Sequence, residues 1–284
     1  MTGKPFWYNG DLFAVGEQSG VRLTFDTALD TAALRFGASV FTTLRVYGQD
    51  LAHPMTMWQA HCDRLAHSLA YFNWIQPDWA SIYEGASQLK AHFLVLRITV
   101  FPSGKAWITG RDLPPDLAQR KSEGATCWLA SADYQRSFPL HKTGNYLACW
   151  QAQKQAQAAG AQEAILTNAQ GEWLETATGN LWGYRQGQWW TPSQQCLPGL
   201  MRNRLQMLLQ AKGLEVGGLA WTRAVIEGFE AIAYSNCVVG LLPVHTILDG
   251  DIKLEYDIQN ANLKALQHQL ARLTEEKSMI PEMS

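Results

Sequence analysis

At 284 residues, 47% hydrophobic and 17% charged, the chain is long enough to bury a sizeable core in one large or two modest domains. A net charge of -2 with interspersed signs lacks the dense basic face that a nucleic acid or an anionic membrane would require, so a small-molecule substrate is the expected partner. Cys62, Cys127, Cys149, Cys196 and Cys237 are scattered and form no Cys-x-x-Cys pair, which argues against a disulfide framework and against a metal site.

No apolar run reaches the length of a membrane span, and the first thirteen residues lack the apolar core of a secretion signal, which predicts a cytoplasmic protein. In chain order, residues 5–15 and 20–26 alternate apolar and polar around Asn9-Gly10, a hairpin pattern, and Ser39–Tyr47 is a β-branched and aromatic strand closed by Gly48. Trp58, Leu65, Leu69 and Phe72 recur at helical spacing over 57–72, and Trp79–Leu89 predicts a second helix. Phe93–Phe101 is an apolar strand interrupted only by Arg97, which must point at water, a structural partner or an anion.

Residues 113–124, with adjacent prolines and dense charge, predict a linker between an N-terminal domain over 1–112 and a larger domain over 125–275, with a loose tail over 276–284. Beyond the linker the pattern gives a strand at 125–132 and a helix over 146–159 stopped by Gly160. Strands follow at 163–167 and 173–177, and a hairpin at 180–192 turns on Gln186-Gly187. A helix over 200–212, a strand at 231–235, a loop at 236–243 and an amphipathic helix over 255–274 complete the reading.

Lys142, at the mouth of the alanine-rich helix, is the candidate nucleophile. A lysine at the edge of a cleft can lose hydration and have its pKa lowered, freeing the amine to condense with an aldehyde cofactor such as pyridoxal 5'-phosphate. One lysine among ten proves little, but that cofactor also demands a partner for its pyridine nitrogen and a cradle for its phosphate. Glu175, on a half-buried strand, needs a cationic or protonated partner, and a protonated pyridine would serve. The helix opening at Gly199-Leu200-Met201 offers backbone amides and the positive end of a dipole to a phosphate. Arg64 suits the same phosphate, or else a salt bridge with Asp63 or a solvent position.

The strings Lys142-Thr143-Gly144-Asn145-Tyr146, Glu163–Thr167, Leu174–Asn180, Thr191-Pro192 and Leu197–Arg202, in that order and spacing, resemble class IV aminotransferase-type enzymes, the fold type IV pyridoxal-phosphate group, over about residues 30–250. The resemblance implies a mixed α/β, two-domain fold with the cofactor between a small N-terminal and a larger C-terminal domain, usually as a homodimer. It implies that Lys142 bonds the cofactor, Glu175 holds the pyridine nitrogen, Tyr146 bonds the phenolic oxygen, and Arg64 with the amides of Leu200 and Met201 holds the phosphate.

Within that group, Thr43 and Asn236, in Phe36–Val46 and Ser235–Val244, resemble the 4-amino-4-deoxychorismate lyases, which form 4-aminobenzoate and pyruvate for folate synthesis. Gly37-Ala38-Ser39 departs from the group's usual Gly-Asp-Gly. On the lyase reading Lys142 moves the protons with help from Thr43, and Arg45, Arg97 or Asn236 holds the substrate carboxylates. The alternatives are an aminotransferase acting on branched-chain or D-amino acids with 2-oxoglutarate, a non-catalytic interaction module on the same fold, and an unrelated α/β binding protein.

Overall fold

The computed structural model describes residues 4–13 and 32–275. The strand expected at 20–26 and the tail at 276–284 lie outside the described residues. Contacts divide the chain into two compact units, one holding the chain up to Leu113 together with His141–Asn145, the other Pro114–Leu140 and Tyr146–Leu273.

In the first unit β1 (Phe6–Tyr8) and β2 (Asp11–Phe13) form a hairpin whose turn residues, Asn9 and Gly10, both take positive φ, the conformation that matches the twist of paired strands. A single turn, α1 (Ala33–Phe36), precedes β3 (Val40–Arg45). Then come α2 (Trp58–Tyr71), α3 (Trp79–Leu89), β4 (Val95–Val100) and β5 (Ala106–Arg111). Asp78 starts α3, its carboxylate accepting the amides of Ala80 and Ser81.

The five strands make an antiparallel sheet in the order β2-β1-β5-β4-β3. Alternation sends Leu44, Leu96, Ile98 and Ile108 into one core with Leu65, Leu69, Ile82 and Leu89 of the helices. Each such side chain contributes roughly 1.5–3 kcal/mol on burial. Arg97, opposite in parity to Leu96 and Ile98, is exposed and lies across from Thr43.

The second unit begins with α4 (Leu117–Glu123), so part of the 113–124 segment is helical. It continues through β6 (Ala125–Leu129), a 3₁₀ turn at Ala132–Tyr134, α5 (Leu147–Ala158), β7 (Glu163–Thr167), β8 (Trp173–Thr176), β9 (Asn180–Arg185) and β10 (Gln188–Trp190). After α6 (Leu200–Gln210), β11 (Val216–Gly217) and α7 (Arg223–Ile226) come β12 (Ala231–Asn236), β13 (Gly240–Asp249), β14 (Ile252–Glu255) and α8 (Ala261–Glu275). Eight strands run β11-β10-β9-β12-β13-β6-β7-β8, and β14 pairs with β13. The joins of β6 to β13 and β7 are parallel. Cys149, Ala152 and Ala156 are the buried residues of α5, all small enough to let it lie close on β7.

Two sequence expectations are corrected here. Residues 240–243 are not loop but the start of β13, because pairing with β12 carries Pro243 opposite Ala233 and leaves only 237–239 as the turn. The helix begins at Ala261 rather than 255, since Asp249-Gly250-Asp251 turns the chain into the β13–β14 hairpin, with Gly250 at φ 57°. Among the described residues no helix is long and apolar enough to cross a membrane, and no cluster of His, Cys, Asp or Glu could hold a metal ion.

Candidate active site

In the first unit the Lys142 segment is laid along β3. Phe41 N–H donates to the Lys142 carbonyl at 2.8 Å, Gly144 N–H donates to the Ser39 carbonyl at 2.6 Å, and Thr143 bridges to Val40. His141 anchors the segment from its other end. Its buried ring stacks on Tyr71 at 4.2 Å, and its Nδ1 sits 3.0 Å from Ser68 Oγ on α2. With both flanks fixed, the Lys142 ammonium lies 4.8 Å from the centre of the Phe41 ring, and the Arg97 guanidinium lies 3.7 Å from the same centre.

Phe41, Thr43 and Arg45 alternate along β3 and so share a sheet face, and the β3–β4 register adds Arg97 to it beside Thr43. Arg45 rests on the Tyr47 ring at 4.6 Å. That face therefore carries one amine, two guanidinium groups and a hydroxyl. The departure at Gly37-Ala38-Ser39 has a local rationale. A Cβ on Gly37, at φ 65°, would come within 3.0 Å of the Asn145 backbone, and one on Gly144 would come within 2.1 Å of Ser39 Oγ. The serine fits because position 144 has no side chain.

Thr42 faces the helices. Its Oγ1 accepts a hydrogen bond from Arg64 Nη2 and stands beside Nδ1 of the fully buried His61. Burial first, then the charges of Arg64 and Lys142, hold the His61 pKa well below its usual value, so the imidazole is neutral. Asp63, the alternative partner weighed for Arg64, accepts from Gln59.

In the second unit Glu175 is 4% exposed on β8. Its Oε1 takes Arg136 Nη1 at 3.0 Å, and its Oε2 takes the Leu197 amide at 3.0 Å. Burial disfavours the charge of Arg136, but the Glu175 carboxylate together with Tyr146 and Cys149 outweighs it and raises the guanidinium pKa. The Leu197 carbonyl accepts from Asn180 Nδ2 at 2.8 Å, so Leu197 is held at both its N–H and its C=O. Two residues later α6 starts on Gly199, where a Cβ would come within 1.9 Å of Asn180 Oδ1. No side chain caps this helix, and the amides of Leu200 and Met201 are among the first that no helical carbonyl can accept. The carboxylate and the uncapped start of α6 are thus tied together through Leu197 and Asn180.

The Tyr146 hydroxyl donates to the Ala177 carbonyl, and burial holds its pKa well above the usual value. Asn236 spends its Oδ1 on the amides of Val238 and Val239 at 2.9 and 3.0 Å, while its Nδ2 donates to Thr178 Oγ1 at 3.3 Å. Its place at the end of β12 is accounted for by the turn.

Sequence reasoning singled out neither Arg136 nor His61. The need of buried Glu175 for a cation was legible, but its partner lay 39 positions away in an irregular loop. His61 is in the helix predicted over 57–72, three residues before Arg64, a spacing that could have paired the two.

An amino-transferase class IV model matches residues 39–247. The chain is 22% identical over 250 residues to an aminodeoxychorismate lyase of Vibrio harveyi, covering 81% of this chain and 90% of that one. Its fold is similar to that of a T.th. branched-chain amino acid aminotransferase complexed with N-(5'-phosphopyridoxyl)-L-glutamate, with a TM-score of 0.77, 19% identity, and 97% and 95% of the two chains covered. It is similar also to the Escherichia coli branched-chain amino acid aminotransferase, with a TM-score of 0.76, 22% identity, and 98% and 97% covered. A match spanning most of the chain, with a mixed α/β architecture shared over nearly its whole length, establishes that this protein belongs to the class IV aminotransferase family of pyridoxal-phosphate-dependent enzymes.

Proposed function

We propose that the protein is a pyridoxal-phosphate-dependent 4-amino-4-deoxychorismate lyase, releasing 4-aminobenzoate and pyruvate. The residues present suit the cofactor. Lys142 supplies an amine held by its backbone, Glu175 a buried carboxylate whose two oxygens retain acceptor capacity, and Arg64 a guanidinium. Gly199 keeps the start of α6 clear where any Cβ would collide with Asn180, leaving the amides of Leu200 and Met201 for a phosphate. Because Arg136 already meets the demand of Glu175 for a cation, the burial of that carboxylate is not by itself an argument for the pyridine. The family membership and the donor set together carry the cofactor reading.

When bound, the cofactor supplies an electron sink for the carbon that bears the substrate amine. Lys142 takes the proton from that carbon and returns one to the departing enolpyruvate, so the ring C–O bond breaks as the ring becomes aromatic. Arg97, exposed beside Thr43, and Arg45 take the two substrate carboxylates, and the Thr43 hydroxyl orients the ether oxygen. Asn236 contributes at most its remaining amide hydrogen. Tyr146, whose hydroxyl donates to Ala177, would accept at its oxygen or turn toward the cofactor. The active protein is a homodimer on this reading.

The observation that carries it is the shared face of Phe41, Thr43, Arg45 and Arg97 with the Lys142 amine over it, a proton-moving group next to two carboxylate-binding groups. The Vibrio harveyi relative supports the same choice. The second reading, an aminotransferase, is favoured by the branched-chain aminotransferase structures that share the fold.

Incubating the pyridoxal-phosphate-loaded protein with 4-amino-4-deoxychorismate, and separately with amino acids plus 2-oxoglutarate, decides between them. Equal amounts of 4-aminobenzoate and pyruvate without any keto acid are expected. Glutamate formed from 2-oxoglutarate, with no 4-aminobenzoate, would overturn the lyase in favour of the aminotransferase.

A further inference from the structure

Helix α2 carries His61 and Arg64 one turn apart on a common face, and Thr42 of β3 stands between them. Arg64 can only donate, so the Thr42 oxygen accepts from it. The threonine has one hydroxyl hydrogen, and we assign it to His61 Nδ1, because the other tautomer, with Nδ1–H donating to the same oxygen, would leave that hydrogen with neither neighbour to accept it. That places the ring proton on Nε2, which has no hydrogen-bond partner among the described residues although the imidazole is wholly removed from water.

An unmet buried donor costs about 1–3 kcal/mol, a penalty that an apolar side chain of similar size would not incur. What the histidine provides in return is an acceptor at Nδ1. A charged imidazole could not provide it, and His61 is held neutral by burial and by the nearby charges of Arg64 and Lys142.

We propose that His61 is a positioning residue: through Thr42, its Nδ1 fixes the Arg64 guanidinium in the orientation that takes the cofactor phosphate, while the ring itself touches no ligand. This rests on the reading of Arg64 as a phosphate-holding group. The hydroxyl hydrogen is committed to His61, so the Thr42 oxygen presents a lone pair to Arg64 Nη2 and favours one rotamer of that long side chain before the phosphate arrives.

The test compares pyridoxal 5'-phosphate with pyridoxal, which keeps the aldehyde and the ring but lacks the phosphate. Each is titrated into cofactor-free protein by quenching of tryptophan fluorescence, and the ratio of the two dissociation constants reads the phosphate contribution. In His61→Phe and in Thr42→Val this ratio should fall roughly ten- to a hundredfold, as expected for a lost hydrogen bond to a charged group, with pyridoxal affinity unchanged. In His61→Asn, whose Oδ1 occupies the place of Nδ1, the ratio should return to within a few-fold of the parent value.

An unchanged ratio in a folded His61→Phe or Thr42→Val protein would overturn the proposal. So would an equal loss for both ligands, or His61→Asn behaving no better than His61→Phe. Should His61→Phe fail to fold, the near-isosteric Thr42→Val carries the test. Arg64→Gln separates the two layers. A ratio that survives it removes the phosphate reading and the proposal together, whereas a ratio that collapses in Arg64→Gln but stands in His61→Phe removes only the role of His61.

Discussion

Glu175 and Arg136 form a buried ion pair, Oε1 to Nη1 at 3.0 Å, with their side chains 6% and 8% exposed. Removing one member leaves the other charge buried without compensation, so Arg136→Leu should destabilise the protein by about 3–5 kcal/mol. The double variant Arg136→Leu/Glu175→Leu should recover much of that loss. Urea unfolding of the parent, the two single variants and the double variant measures the coupling. Additive losses would show that the pair contributes nothing as a pair.

Lys142→Ala should abolish both the visible absorbance of the pyridoxal-phosphate-loaded protein and its turnover while leaving the fold intact. The segment is held by the backbone bonds of Lys142 and Gly144 and by the stacked ring of His141, none of which uses the lysine side chain. Absorbance, product analysis and circular dichroism on one preparation check the three statements. A variant that kept its absorbance and its activity would sink the assignment of this lysine.

Gly144→Ala would place a methyl group 2.1 Å from Ser39 Oγ and 2.8 Å from the Gly37 carbonyl. Overpacking of this kind should cost about 1–3 kcal/mol and displace the segment that carries Lys142. Adding Ser39→Gly removes the nearer clash but not the carbonyl, so partial recovery of the melting temperature is expected. Full recovery or none would contradict the geometry.

The burial of His61 also sets a dependence on acidity. Its pKa in the folded protein lies well below the ordinary 6.5, through burial first and then Arg64 and Lys142. Below pH 6.5 the unfolded chain therefore binds a proton that the folded chain refuses, and stability falls as pH drops, by up to roughly 1.4 kcal/mol per pH unit from this group. Above that pH the contribution is fully present. Urea midpoints at pH 7.5 and pH 5 should separate more widely for the parent than for His61→Asn, and equal separations would show that His61 does not titrate differently in the two states.

Much of this protein is determined by sequence alone, because its elements are set by local chemistry. The spacing of Trp58, Leu65 and Leu69 marks α2, Asp78 and the apolar positions after it mark α3, Asn9-Gly10 marks the first hairpin, and the order of the Lys142, Glu175 and Leu197–Arg202 strings marks the family. The β13–β14 hairpin was missed although Asp249-Gly250 announces it, since the polar run after it mimics a helix face. Only the tertiary structure decided which partners the polar groups take. Arg136 reaches Glu175 across 39 positions, Thr42 meets His61 across 19 and Arg64 across 22, and Leu197 joins Glu175 to Asn180 through its N–H and its C=O. Such partners are chosen by how strands register and how loops close over them, and a buried charge or donor accepts whichever complementary group the fold brings within about 3 Å. No periodicity in the sequence encodes that choice.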